Sequence, residues 1–320
     1  MDDVTGKMPP VAQEIQFRAD RGDAGRRLDQ VLRRRVVEIS RMSRSMAQQW
    51  IEAGAVKIDG RVVRRPATRV REAAVVDVTP PAGVTRKAVP QAETGELRIL
   101  YEDTAFIAID KPAGIVVHPS YRQLSGTLLN TVLWHVRDRA DTRPGILTRL
   151  DKGTSGIVIV ASGAEVHRTM QQDAAAGTIR KEYLAIVNGH PRPPAGRIDG
   201  PLARDPLDRR RVVVMRGGAA SETRYETLAS HGPLSLVRCE LVTGRTHQIR
   251  VHLASCGWPI AGDTVYGVAS PLIERQALHA WRMTLLHPVT REPMTIVAPV
   301  PDDIRAAAAA AALRLPEPPP

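Results

Sequence analysis

Thr148-Arg149-Leu150-Asp151-Lys152-Gly153-Thr154-Ser155-Gly156 runs directly into Ile157-Val158-Ile159-Val160-Ala161. The second segment is short, β-branched and bounded by Gly156 on one side and Ser162-Gly163 on the other, which predicts a buried strand. Asp151 then lies on the loop that feeds that strand, so its carboxylate is carried by a rigid element. Arg149 and Lys152 put a guanidinium and an ammonium on either side of it. Cations beside a carboxylate favour its charged form, and a charged carboxylate is a nucleophile or a base. An Arg/Asp pair that only stiffens a turn would have the same spacing, and spacing alone does not separate the two.

Outward from this loop, the chain reads as a basic protein of 320 residues. It has 45 Lys+Arg against 34 Asp+Glu, a formal charge of +11 and a pI near 10.3. That balance implies a polyanionic partner: RNA, DNA or an anionic membrane surface. No apolar run approaches the ~18 residues of a membrane span, and Met1-Asp2-Asp3-Val4 lacks the basic and apolar regions of a signal peptide. Membrane insertion and secretion are therefore not expected. Cys239 and Cys256 are the only cysteines and form no CxxC pair, which fits a reducing, cytoplasmic location; Cys256 is expected to be a small apolar core residue. Aromatic residues make up 3% of the chain, too few for rows of rings that stack a long single strand.

Five segments are expected. Residues 1–13 carry no periodicity and read as a disordered leader. Residues 14–79 form a small basic domain. Leu28, Val31 and Leu32 lie at helical spacing, as do Met46, Trp50 and Ile51, with Gly54 as a helix stop. Val56 to Val63 reads as strand, Asp59-Gly60 turn, strand, and Ala74 to Val78 as a further strand. Arg26, Arg27, Arg33, Arg34, Arg35, Arg41 and Arg44 crowd its helical half, and Arg61, Arg64, Arg65, Arg69 and Arg71 follow the hairpin. This density is costly unless phosphates face it. Residues 80–95, rich in Pro and Gly, read as a linker. Residues 96–300 mix strands and helices irregularly, including a helix from about Ala164 to Ala174, which predicts an α+β domain with a mixed or antiparallel sheet. Residues 301–320 read as a helix over Asp302 to Ala312 ended by prolines, with no chemistry in it.

The order of motifs in the larger region resembles the catalytic domain of the RluA-type pseudouridine synthases, which isomerise uridine in RNA. Ile109-Asp110-Lys111-Pro112-Ala113-Gly114 and Val117-His118-Pro119 come first, then Arg149-Leu150-Asp151 with Thr154-Ser155-Gly156. Lys181-Glu182-Tyr183-Leu184-Ala185 and Gly244-Arg245-Thr246-His247-Gln248-Ile249-Arg250 follow, then Gly262-Asp263-Thr264-Val265-Tyr266-Gly267 and Leu278-His279-Ala280-Trp281-Arg282. Residues 14–79 resemble the small RNA-binding domain shared by a small-subunit ribosomal protein, tyrosyl-tRNA synthetases and many pseudouridine synthases. The resemblance implies a pseudouridine-synthase fold, a bent, mainly antiparallel sheet with flanking helices, plus a small N-terminal α/β domain.

It also implies the site. Asp151 is the nucleophile, with C1′ of the ribose and C6 of the uracil both open to it. Tyr183 stacks on the base or handles its C5 proton, and Arg250 pairs with Asp151. Arg149, Arg245, His247, Arg27, Arg44 and Arg61 are the expected substrate contacts. No cofactor is needed, because the isomerisation has no redox change and adds no group. No metal is expected either: His247 and His252, at i,i+5, stand about 500° apart around a helix. The family's frequent His before Arg-Leu-Asp is Thr148 here, which puts the local hydrogen bonding of the loop in question, and Gly153 beside the nucleophile is expected to loosen it slightly. On helix spacing, Ile249 and Leu253 form one buried stripe, with His247 and Arg250 on an adjoining face.

The motifs nearest Val117 and Gly126-Thr127-Leu128-Leu129-Asn130 are similar to those of the large-subunit branch, so 23S ribosomal RNA is the expected partner of a monomeric enzyme. A transfer RNA is the runner-up substrate, and a non-catalytic ribosomal RNA assembly factor is the reading from a different class. A glycosidase would need two carboxylates about 5 to 9.5 Å apart, and the resemblance gives Asp263 no such role.

Overall fold

The computed structural model describes residues 14–36, 42, 44–79, 90–119, 123–139, 142–208 and 211–317. The expected leader, residues 80–89 of the expected linker, and Arg41 lie outside these. Two compact units divide the chain, residues 1–89 and 90–320.

In the first unit, β1 (Ile15–Arg18), α1 (Leu28–Arg35), α2 (Arg44–Glu52), β2 (Val56–Ile58), β3 (Arg61–Val62) and β4 (Val75–Val78) build an antiparallel sheet of order β1-β4-β2-β3 with two helices. The helices pack through stripes close to those their spacing predicts: Leu28, Val31 and Leu32 from α1, and Trp50 and Ile51 from α2, where Ala47 is the third buried residue and the expected Met46 is only half-buried against the cluster. Asp59 and Gly60 take φ of 50° and 77°, the two left-handed positions of a tight hairpin turn. Strand β1 went unread in the sequence: its four residues alternate half-buried and exposed, and pairing with β4 rather than its own pattern defines it.

The second unit contains β5 (Ile99–Glu102), β6 (Phe106–Lys111), α3 (Leu128–His135), β7 (Gly145–Ile146), β8 (Ser155–Ala161), α4 (Ala164–Ala175), β9 (Arg180–Asn188), β10 (Ala195–Ile198), β11 (Leu202–Arg204), β12 (Val212–Val214), β13 (Thr223–His231), β14 (Leu234–Leu241), α5 (Gln248–Ser255), β15 (Leu278–Leu286), β16 (Pro293–Val297) and α6 (Asp302–Ala310). Its main sheet runs β10-β13-β14-β9-β15-β8-β6-β5, with β16 beside β15 and β7 beside β8; β11 and β12 form a separate hairpin. All pairings are antiparallel except β15 with β8, where only His279↔Ser155 and Ala280↔Gly156 register.

That short parallel contact positions the loop before β8. Gly156 has φ 106°, and a Cβ on it would overlap the backbone of Ala280, so only glycine lets β8 start this close to β15. All seven residues of β8 are buried, because Ile157 and Ile159 enter one apolar cluster with Phe106, Met170 and Met283 while Val158 and Val160 enter another with Ile107, Ile109 and Val132. A strand covered on both faces reads as an unbroken apolar run. Among the described residues, no helix is long and apolar enough to cross a membrane.

Two expectations are corrected here. Cys256 is exposed: it follows the last residue of α5, where the chain turns outward through Gly257 at φ 83°. The helix α5 does not bury a single stripe; Gln248, Ile249, Arg250, Val251, His252 and Leu253 are all buried. Its polar members find partners inside, Gln248 at Glu222 and Thr223, His252 at Thr223 and Gly200, and this satisfaction is what lets polar groups occupy a core.

Candidate active site

The loop carrying Asp151 is pinned at the Thr148 side chain and at three successive carbonyls, those of Asp151, Lys152 and Gly153. Thr148 is buried, and its hydroxyl accepts a 2.9 Å bond from the Ile159 N–H in the middle of β8. Thr148 thus anchors the loop to the strand itself. The Asp151 carbonyl accepts from the Thr154 N–H at 3.0 Å, and the Lys152 carbonyl accepts from the Gly114 N–H at 2.7 Å. Lys111, fully buried at the end of β6, donates its ammonium to the carbonyls of Pro112, Ile115 and Lys152. Burial first, then the cation of Arg275, lowers the Lys111 pKa to about 8. Gly153 does not loosen the loop as expected: its carbonyl accepts from Arg275 at 2.9 Å, and a Cβ there would collide with the Gln276 amide.

Held this way, the Asp151 side chain stays 25% exposed at an open cavity. Arg149, Leu150, Thr154, Tyr183, Arg245, His247 and Arg250 are among the residues lining it. The sequence puts cations at Arg149 and Lys152, yet the guanidinium that reaches the carboxylate belongs to Arg250, 99 residues away, with Nη1 2.9 Å from Asp151 Oδ2. Arg149 is exposed at the cavity rim instead. On an extended loop the residue two positions away can share a face with Asp151 without turning its long side chain back toward it.

Arg250 is gripped from behind. Its Nε and Nη2 donate to the two oxygens of Asp263 at 2.6 and 2.8 Å, a fork-to-fork pair inside the protein. Burial by itself would lower the Arg250 pKa; the bonds and charge of Asp263, with a contribution from Asp151, outweigh it and raise the pKa above the ordinary arginine value. Burial pushes the Asp263 carboxyl upward, but Arg250 and the N–H groups of Val265 and Tyr266 prevail and hold it below the usual carboxylate range. One guanidinium therefore spans two carboxylates, one enclosed and the other facing the cavity.

Tyr266 completes this wall. Its ring lies under Arg250, 5.0 Å from the guanidinium carbon to the ring centre, and its hydroxyl meets His247 Nδ1 at 2.8 Å. His247 sits just before α5 with φ 56°, a left-handed conformation that turns its other nitrogen to 3.9 Å from Asp151 Oδ1. Burial lowers the His247 pKa, against the pull of Asp151. Tyr183, on β9, presents a buried ring to the same cavity. Burial, reinforced by the charge of Asp151, pushes its hydroxyl well above the ordinary tyrosine value, so it stands as a neutral phenol.

Asp151, Tyr183, Arg250, Arg149, Arg245 and His247 are brought together at this one cavity. Asp263, Tyr266, Lys111 and Arg275 also belong to the arrangement but were not read as site residues. Asp263 and Tyr266 do lie in a quoted motif, and an acid directly after a glycine, Gly262, was the available signal. His252 faces away, bonded to Thr223 and Gly200. Among the described residues, no group of three His, Cys, Asp or Glu side chains is placed to hold a metal ion.

Arg27, Arg44 and Arg61 lie in the first unit, and they differ. Arg27 donates both Nε and Nη2 to Asp29, which is fully buried, and Arg44 stands 3.5 Å from the same carboxylate. Arg34 and Arg35 are paired likewise with Asp20 and Asp23. Part of the arginine density is thus neutralised internally. Arg61, Arg65 and Arg71 are exposed, with no ion pair among the described residues.

Comparison with known proteins places the geometry in context. Residues 105–255 match the family described as RNA pseudouridylate synthase, and residues 26–76 match the S4 domain. The chain is 40% identical over 294 residues to a protein of Nitrosomonas europaea named ribosomal large subunit pseudouridine synthase D, covering 88% of this chain and 83% of the relative. It is 42% identical over 216 residues to an uncharacterized RNA pseudouridine synthase of Bacillus subtilis, YhcT, covering 67% and 72%. Among solved structures, human RNA pseudouridylate synthase domain containing 4 shares the fold with a TM-score of 0.56 at 23% identity, over 69% of this chain and 95% of that one.

Proposed function

The chain belongs to the RluA-type RNA pseudouridine synthases and carries an N-terminal S4 RNA-binding domain, and from this premise we propose that it converts specific uridines of 23S ribosomal RNA to pseudouridine with Asp151 as the nucleophile. One observation carries the reading: Asp151 is the open end of a carboxylate–guanidinium–carboxylate chain, bonded to Arg250 on one oxygen and exposed to the cavity that Tyr183 lines.

The isomerisation breaks the N1–C1′ bond, turns the uracil and joins C5 to C1′; the C5 proton leaves and N1 gains one. A carboxylate can hold the substrate covalently while the base turns, then leave as the carbon–carbon bond forms, so electrons balance without an oxidant or a metal. The Arg250–Asp263 pair fixes the line of attack, since a fork bonded to a buried carboxylate has no freedom to rotate. Tyr183 supplies a flat apolar face for the base. Its raised pKa supports the neutral phenol as a stacking surface, because acting as a base would require a phenolate beside Asp151.

The target nucleotide must leave its stack to reach this cavity, at a cost of a few kcal/mol. Phosphate contacts from Arg149 and Arg245 at the rim, and from the S4 domain, offset that cost. The large-subunit assignment rests on the relative named for that activity and on the basic S4 domain. Carbodiimide mapping of pseudouridines in 23S RNA and in transfer RNA, from cells with and without the gene, tests it. Loss of 23S sites supports the reading, and loss confined to transfer RNA replaces it.

A further inference from the structure

The C-terminal helix α6 is wired to the loop that carries Asp151. Arg275 is 14% exposed and makes the connection. Its Nε and Nη2 donate to both oxygens of Asp303, in the first turn of α6, at 2.6 and 2.8 Å. With the fork oriented by that carboxylate, Nη1 faces the Gly153 carbonyl at 2.9 Å, and Nη2 lies 3.3 Å from the Ser155 hydroxyl. The carbonyls of Gln276 and Leu278 take further bonds from Nη1. Next in sequence, the Gln276 amide lies 3.3 Å from the Thr154 hydroxyl and occupies the space that a side chain at Gly153 would need. The helix itself is seated by Ile304, Ala307 and Ala308, buried in the same apolar cluster as Tyr183 and Ile249.

We propose that α6 is a positioning element for the reaction: Asp303 orients Arg275, and Arg275 fixes the Gly153 carbonyl two residues after the nucleophile. The inference rests on the reading of Asp151 as nucleophile. Three carbonyls define the loop's path, at Asp151, Lys152 and Gly153. The first two bond within the loop or to the end of β6 and the segment after it, so the third is the one held from much later in the chain. A guanidinium freed from Asp303 keeps its charge but loses its direction, because a planar fork bonds its acceptors only in one orientation. The loop then shifts without leaving its place, and a displacement of about 1 Å in a reacting group can cost on the order of 100-fold in rate.

The test measures single-site turnover on a 23S RNA fragment, using the full chain, for Asp303→Ala, Arg275→Lys, Asp303→Glu, Leu313→Ala and Asp151→Asn. Asp303→Ala and Arg275→Lys are expected to lower kcat by about 10- to 100-fold while KM stays within about three-fold. Asp303→Glu, which restores a carboxylate, is expected to recover part of the loss. Leu313→Ala, at a buried residue of the same cluster that follows α6 and takes no part in the Arg275 hydrogen bonds described above, is expected to lower the thermal midpoint and leave kcat unchanged well below it. Folded Asp303→Ala or Arg275→Lys protein with native kcat overturns the proposal, as does a Leu313→Ala kcat as low as theirs. If Asp303→Ala does not fold, Arg275→Lys decides the matter by the same criteria. Turnover by Asp151→Asn would instead overturn the nucleophile reading, so the two failures are told apart.

Discussion

Asp29 and Asp151 both lie beside arginines, and their surroundings make them opposites. Asp29 in the S4 domain is fully buried, with both oxygens bonded to Arg27, a further bond from Gln48 and the Arg44 guanidinium 3.5 Å away. Asp151 in the catalytic unit is bonded to Arg250 through one oxygen and keeps the rest of its carboxylate at an open cavity. The difference teaches that an Arg/Asp pair has no meaning from spacing alone. A carboxylate saturated with donors is a structural pin, while one held by a guanidinium that is itself held elsewhere is oriented and still available. Asp263 is what makes the second case possible, because it takes two of the Arg250 bonds and leaves one for Asp151.

The comparison can be broken most severely at the open carboxylate. Asp151→Asn keeps shape and one acceptor but removes the carboxylate proposed as nucleophile, and tritium release from [5-3H]uridine in 23S RNA is expected to fall by more than about 1,000-fold. RNA affinity measured by filter binding is expected to stay within a few fold.

Asp263→Asn attacks the support instead. It leaves a buried guanidinium short of its counter-charge, so we expect a loss of about 3 kcal/mol or more in denaturant unfolding and about 100-fold in kcat as Arg250 loses its line. Unchanged kcat in the folded variant would show that Asp151 needs no such backing.

The first unit offers a milder contrast among its arginines. Replacing Arg61, Arg65 and Arg71 by Ala together is expected to weaken RNA binding and to reduce the slope of log affinity against log salt by about 2 to 3. Arg35→Ala, which strips a partner from the buried Asp23, is expected to cost stability and leave the salt slope nearly unchanged. Equal slopes in the two variants would erase the distinction between paired and free arginines.

The smallest effect is a pH dependence. The bonds from Arg27 hold the Asp29 pKa down at about 2, from an ordinary 3.8. A depressed carboxyl contributes stability that is complete above the unfolded value and is lost as pH falls through the folded one. We therefore expect about 1 to 2 kcal/mol of stability, discounted for solvent screening, to disappear between pH 5 and 2. Acid titration of the intact chain against Asp29→Asn measures it, and coincident curves would remove Asp29 from its role as a pin.

Much of this was legible in the chain. The strand Ile157 to Ala161, the Asp59-Gly60 hairpin and the helix from Ala164 announce themselves by pattern, because local apolar spacing and turn chemistry decide them. The motif order placed Asp151, Tyr183 and Arg250. What stayed hidden depends on partners distant in sequence. Nothing in the local pattern around Arg27 says that Asp29 folds inward beneath it and accepts both arms of its fork. Asp263 reads as an acid in a glycine-bounded loop until α5 brings Arg250 against it. Arg275 lies outside the recognised motifs, and its reach to Gly153 exists only after β15 is laid beside β8. Cys256 looked apolar by residue type, yet the chain had already left the core at the end of α5.

The most direct test of the account puts the two aspartates in one assay: single-turnover tritium release from 23S RNA by Asp29→Asn and Asp151→Asn, each verified as folded and RNA-bound. The account predicts that Asp29→Asn turns over within about three-fold of the native protein while Asp151→Asn releases no tritium above background. Sustained release by Asp151→Asn would contradict it.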